Sequence, residues 1–238
     1  MPSLNTSKHK VIPKGDGILD LKSVYTAISL FMILNLSVYS QPVLIGGTAG
    51  FNLSKLDYSS SIITDNYIDG FHYGIKAGIF IEYPLSDMFF VCSEINYSMR
   101  GTELKSKGIF IPPDRKLIIK MDYIEIPLIF QLKLPINSFI NPKVFIGPEV
   151  SFLLEAKEEI YINEVKTNEV KANGVASEEF GIVLGAGLEY NFLFSKIIFD
   201  LRYYYGLSSI YQSSTSVFSN TISFNIGFGF SIIKNIEN

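Results

Sequence analysis

Two opposite charges lie two residues apart inside an apolar segment. Residues 196–206 read KIIFDLRYYYG, and Asp200 and Arg202 share one side of any β-strand because side chains alternate with a period of two. A carboxylate beside a guanidinium in such a segment suits a buried ion-pair network, a proton or ion path, or catalytic carboxylates. The elements that carry these residues decide between the three.

Other reactive residue types are scarce in this sequence. Cys92 is the only cysteine, so no intramolecular disulfide can form, and we interpret it as a small apolar side chain. The two histidines, His9 and His72, lie far apart, so we predict no His/Cys metal site and no cofactor. With a formal net charge of −3, the chain has no electrostatic footprint for nucleic acid.

The elements that must position Asp200 and Arg202 are predicted to be β-strands. After residue 41 apolar residues recur with period two rather than with the period of a helix. Eight segments follow this pattern: 43–53, 70–83, 87–101, 116–133, 143–156, 176–193, 196–210 and 218–233.

The two faces of these predicted strands differ in side-chain size. In the second strand the bulky face carries Phe71, Tyr73, Ile75, Ile79 and Ile81, and the opposite face carries glycine, Lys76 and Glu82. A soluble barrel would place apolar residues inside and many charges outside, yet only 18% of this chain is charged. An eight-stranded barrel has a narrow interior that suits small and polar residues. We therefore predict an all-β fold for residues 41–238, an eight-stranded antiparallel up-and-down transmembrane β-barrel.

The predicted links alternate in length, as in outer-membrane barrels. Long, polar links follow the odd-numbered strands at about 54–69, 102–115, 157–175 and 211–217, and we expect them to be solvated and partly disordered. Short links follow the even-numbered strands. With the N-terminus in the periplasm, the long links lie outside the cell.

The N-terminal region has the pattern of an export signal. Residues 22–40 contain one lysine, an apolar core and small residues before Gln41, which predicts a cleaved signal peptide. An uncleaved membrane anchor is the alternative. The polar leader at residues 1–21 is longer than usual, and we expect translation to begin near its end. These features place the protein in the outer membrane of a Gram-negative bacterium.

Four segments carry a family resemblance, namely GFHYGIKAGIFIEYPLSDMFFVCSEINYSMRG, MDYIEIPLIFQLKL, FIGPEVSFLL and GIVLGAGLEYNF. They resemble the PorT-like outer-membrane β-barrel family of Bacteroidetes-type bacteria. The resemblance covers most of residues 43–233 and implies an eight-stranded outer-membrane barrel. The family's namesake acts in a protein-secretion and gliding system, although the family as a whole does not imply one function.

The alternation also predicts which charged side chains face the lumen. These are Lys76, Glu94, Glu125, Glu149, Glu189, Asp200 and Arg202. Because unpaired charges inside a packed barrel are costly, we expect Arg202 and Lys76 to lie among the glutamates as a structural network. We predict no catalytic residue and no metal ligand.

The sequence favours a non-enzymatic role. The first hypothesis is an envelope anchor or partner-binding protein that contacts outer-membrane lipid and envelope or secretion-machinery proteins. A narrow channel or transporter is the alternative, although eight strands leave little aqueous lumen. A membrane enzyme would need a nucleophile–base pair, and a soluble lipocalin-like carrier would need a polar exterior.

Overall fold

The computed structural model describes residues 42–58, 67–107, 115–136, 139–192, 195–211 and 216–232, all within the unit Gln41–Asn238. The predicted leader and signal peptide lie outside the described residues. The described part contains nine strands, one more than predicted. They are β1 (Val43–Tyr58), β2 (Tyr67–Pro84), β3 (Phe89–Ser106), β4 (Arg115–Lys133), β5 (Ile140–Ile162), β6 (Val165–Lys171), β7 (Glu178–Phe192), β8 (Ser195–Gly206) and β9 (Val217–Ile232).

The strands form one antiparallel sheet that closes on itself. Sequential neighbours pair from β1 to β5, then β5 pairs with β7, β7 with β8, β8 with β9, and β9 with β1. Closure leaves these strands no free edge, which is what a sheet in lipid requires. The predicted all-β, up-and-down antiparallel architecture is confirmed.

The ninth strand, β6, corrects the prediction of a disordered link at 157–175. It pairs only with β5, and the two form a hairpin that extends past the closed ring. Asn163 and Glu164 both have positive φ, 50° and 63°, as a two-residue type I′ turn requires. Asn-Gly is the usual sequence of such a turn. Here glutamate occupies the second position, so the sequence did not indicate a hairpin.

The predicted difference between the two faces is confirmed in β2. Ile75, Ile79 and Ile81 expose 59%, 64% and 51% of their surface on the outside, whereas Lys76 and Glu82 are buried inside. The same alternation runs through β4, β7, β8 and β9. Bulky apolar side chains therefore cover the exterior. The lumen holds the charged and small side chains together with some buried apolar ones, among them Phe80, Phe145 and Tyr204.

Glycine makes the filled lumen sterically feasible. A Cβ atom at Gly185 would lie 2.6 Å from the Phe145 ring, and one at Gly181 would overlap the Tyr204 ring. Both rings cross the lumen from neighbouring strands. Gly181 and Gly185 thus make room for bulky neighbours inside the barrel.

A bulge in β2 is closed by polar side chains of β1. The pairing of β2 with β3 shifts between Phe71 and Lys76, which leaves backbone groups of β3 without their usual partners. Asn52 Nδ2 donates a hydrogen bond to the Met99 carbonyl at 3.0 Å, and the Gly101 N–H donates to Ser54 Oγ at 2.8 Å. Small polar lumen residues thus complete the wall.

An apolar cluster closes the end of the barrel that carries the long links, which we call the long-loop end. Buried residues from the ends of β1, β4, β5 and β9 pack there with residues of the links after β6 and β8. They are Leu56, Ile119, Met121, Tyr123, Ala156, Ala172, Ile210 and Val217. We call this set the apolar cap.

Candidate functional site: the charged lumen

All seven charged residues predicted to face the lumen lie inside the barrel. Each exposes 6% of its surface or less. They do not form one group. They divide between a cluster around Arg202 and a cluster around Arg100, a residue that the prediction did not include.

The Arg202 cluster lies towards the short-link end. Arg202 donates two hydrogen bonds to the Glu94 carboxylate, at 2.7 and 2.9 Å, and a third to Asp200 Oδ2 at 2.7 Å. Lys143 Nζ lies 3.1 Å from Asp200 Oδ1, on the far side of that carboxylate. The charge pair that first suggested chemistry in KIIFDLRYYYG is therefore held in a bidentate ion pair that crosses from β8 to β3.

Lysines continue this cluster towards the short links. Lys133 Nζ lies 2.5 Å from Glu82 and 2.6 Å from Glu189. Lys143 and Lys196 contact the same Glu189 carboxylate at 3.6 and 3.3 Å. In the cluster as a whole, four cations face four carboxylates.

The Arg100 cluster lies beneath the apolar cap. Arg100 Nε donates to Glu125 Oε1 at 2.7 Å, and its Nη2 atom contacts Glu149. Lys76 Nζ lies 2.6 Å from Glu125 Oε2, and Glu179 Oε2 lies 3.5 Å from Arg100 Nη1. The guanidinium also packs 4.0 Å from the centre of the Tyr204 ring, a cation–π contact.

The lumen pairings differ in part from those expected. Arg202 and Lys76 do contact glutamates, namely Glu94 and Glu125, but Glu149 is paired by Arg100 and Glu189 by lysines. Sequence reasoning left five buried charges out of the network: Glu82, Arg100, Lys133, Lys143 and Glu179. Each lies an even number of residues from a predicted lumen charge on the same strand. The two-residue period could therefore have identified them.

Little free space remains beside the Arg202 cluster. The cavity beside Asp200 and Arg202 measures about 10 Å³, roughly the space of one water molecule. Cys92 lines the same cavity and is buried. Among the described residues, no group of histidine, cysteine and carboxylate side chains could hold a metal ion.

The hairpin of β5 and β6 is solvated and charged. Every residue of β6 is exposed. Lys166 lies 2.8 Å from Glu159 and also contacts Glu169, and its hydrogen bond lowers the pKa of the Glu169 carboxyl. The backbone ladder joins the two strands, and these ion pairs lie along it.

The family model for the outer membrane protein beta-barrel domain matches residues 39–212, well over half of the chain. The chain belongs to this family. It is therefore a small outer-membrane barrel, and the family implies the outer membrane of a Gram-negative bacterium. The family match does not single out the PorT-like group. Among curated proteins, none matches the sequence significantly.

Several solved barrels are similar to this one. OprG from Pseudomonas aeruginosa is 14% identical, with a TM-score of 0.49 over 82% of this chain and 97% of that chain. Ail of Yersinia pestis, solved with a heparin analogue, is 12% identical, with a TM-score of 0.38 over 79% and 99%. The outer-membrane protease OmpT from Escherichia coli is 8% identical, with a TM-score of 0.32 over 83% and 100%. At these values the likeness does not bear on activity.

Within the part of the chain that the structure describes, no helix has the length and hydropathy needed to cross a membrane.

Proposed function

We propose that this outer-membrane barrel is a non-enzymatic envelope anchor or partner-binding component. The supporting observation is the contrast between its buried interior and the exposed strand β6. Buried ion pairs and the apolar cap occupy the lumen, whereas β6, which pairs with β5 beyond the ring, is exposed along its whole length. With the N-terminus in the periplasm, this hairpin lies on the cell surface.

The filled lumen argues against the channel alternative. A conducting path would have to pass the bidentate Arg202–Glu94 pair, then the Arg100 cluster and finally the cap. Purified protein in planar lipid bilayers is expected to give no stepwise conductance. Steady single-channel steps would contradict the anchor role and favour a narrow channel.

Site-specific photo-crosslinking tests the partner-binding role. A photoreactive residue at Val165 in the hairpin, which is 65% exposed, is expected to form protein adducts in intact cells. Ile79 on the barrel exterior is 64% exposed and provides the matched control, which should react with lipid alone. If Val165 forms no protein adduct, the hairpin is not a partner-binding element.

The PorT-like resemblance supports a narrower proposal, namely that the protein is a component of a protein-secretion system. Secretion-machinery components among the Val165 adducts would support it. Adducts that contain only unrelated surface proteins would count against it.

A further inference from the structure

Three carboxylates share two cations in the Arg100 cluster. The cations are Lys76 and Arg100, and the carboxylates are Glu125, Glu149 and Glu179. Each of these residues exposes 4% of its surface or less. Fully ionised, the group would hold one excess negative charge away from water.

The two cations are distributed unequally among the three carboxylates. Glu125 contacts both, with Lys76 on one oxygen and Arg100 on the other. Glu149 and Glu179 contact only Arg100. Glu179 Oε2 lies 3.5 Å from Arg100 Nη1, and the only other group that faces it is the neutral Tyr123 hydroxyl among the described residues.

Among the residues that the structure describes, the other side chains that contact these glutamates carry no positive charge. Tyr204 donates its hydroxyl to Glu179 Oε1 at 3.0 Å, and Ser151 donates to Glu149 at 3.3 Å. The centre of the Tyr123 ring lies 5.3 Å from the Arg100 guanidinium. The nearby lumen side chains of β1 and β9 are the neutral Asn52 and Ser223, which are hydrogen-bonded to each other. The Arg202 cluster shows no such excess, because its four carboxylates meet four cations.

A buried carboxylate without a cationic partner is costly. The cluster is therefore more stable with one carboxylate protonated than with all three ionised. We propose that the Arg100 cluster is a proton-binding site that retains one proton at neutral pH, shared by Glu149 and Glu179. The proton belongs to the pair and not to either residue alone.

Infrared spectroscopy of the barrel in lipid vesicles tests this directly. Wild-type protein at neutral pH is expected to show the carbonyl stretch of one protonated carboxylic acid. Glu179→Gln and Glu149→Gln balance the remaining charges and should each abolish that band. Glu94→Gln, in the balanced Arg202 cluster, should leave it in place. Absence of the band from wild type, or its persistence in Glu179→Gln, would overturn the proposal.

Stability against pH provides a second readout. Free glutamate in the unfolded chain loses its proton above about pH 4.3. Unfolding then releases the bound proton, so the unfolding equilibrium constant rises up to tenfold per pH unit until the folded cluster itself ionises. In Glu179→Gln this contribution is absent. The ratio of the wild-type to the variant constant, from urea unfolding in vesicles, should therefore increase between pH 5 and 7, and a flat ratio would contradict the proposal.

A bound monovalent cation is the competing account of the same excess charge. It predicts no acid band, together with wild-type stability that rises with sodium or potassium chloride but not with choline chloride. That result would overturn the proton assignment. Equal stability in the three salts, with the band present, supports it.

Discussion

The two arginines inside the barrel satisfy their carboxylates in different ways. Arg202 is bound bidentately by Glu94, and its second carboxylate, Asp200, is shared with Lys143. Arg100 is surrounded by three glutamates and has only Lys76 to share them with. Loss of either guanidinium leaves its carboxylates short of a cation, but the Arg202 cluster has three lysines that can compensate and the Arg100 cluster has one.

This difference shows two ways in which a narrow barrel can hold many buried charges. Removal of one partner from a buried ion pair typically costs about 3–5 kcal/mol, because the other charge remains buried and unpaired. The cost depends on what else the remaining charge can contact. The two clusters therefore provide an internal comparison within one protein.

The largest effect is expected for Arg100→Met. Three glutamates would remain with one lysine, and we expect a loss of about 5 kcal/mol or failure to fold. The heat-modified gel shift of the barrel and its urea unfolding in vesicles measure the effect. A loss under about 1 kcal/mol would mean that Arg100 does not neutralise the three glutamates.

A smaller loss is expected for Arg202→Met. Asp200 would keep Lys143, so we expect about 3 kcal/mol and a lower temperature for the heat-modified gel shift. The double variant Arg202→Met, Glu94→Gln removes both partners and should recover part of that loss. An unchanged shift in the single variant would contradict a stabilising role for the Arg202 pair.

The glycines beside the two aromatic rings test packing in each cluster separately. Gly185→Ala pushes on the Leu201 carbonyl and on Phe145, whose ring lies 5.4 Å from Arg202. Gly181→Ala pushes on Tyr204, which lies against Arg100. Each is expected to cost about 1–3 kcal/mol in urea unfolding through overpacking. Only Gly181→Ala should alter the acid band proposed for the Arg100 cluster, because Tyr204 donates to Glu179. The same change of the band in both variants would mean that the two clusters are not independent.

The smallest effect is expected outside the lumen. Lys55 and Asp57 form an exposed pair at 3.1 Å, with exposures of 41% and 50%. Lys55→Ala should change stability by no more than about 0.5 kcal/mol, because water screens exposed ion pairs. A loss as large as that of Arg202→Met would remove the distinction between lumen and surface charges.

Much of the fold could be predicted because lipid and a narrow lumen impose opposite demands on alternate residues. The outward Ile75, Ile79 and Ile81 and the inward Lys76 and Glu82 follow from parity alone. The ends of strands were less predictable. β3 reaches Ser106, and β5 reaches Ile162, well past the predicted ends at 101 and 156. Outside the bilayer the apolar face is no longer required, so the signal fades where the strands continue.

The candidate site was predictable as a set of inward charges but not as a set of pairs. Arg100 lies in phase with Glu94, yet nothing in the sequence shows that it meets Glu149 and Glu179, 49 and 79 residues away. Those meetings depend on the register between strands and on closure of the ring.

The sequence by itself determined which side chains face lipid and which face the lumen, because the two-residue period of a strand is a local property. Tertiary structure alone decided that the lumen charges divide into two clusters, that the Arg100 cluster holds one carboxylate in excess, and that β6 forms in a polar link. Ion pairs act across space between distant strands, and a local pattern does not encode which distant strands become neighbours.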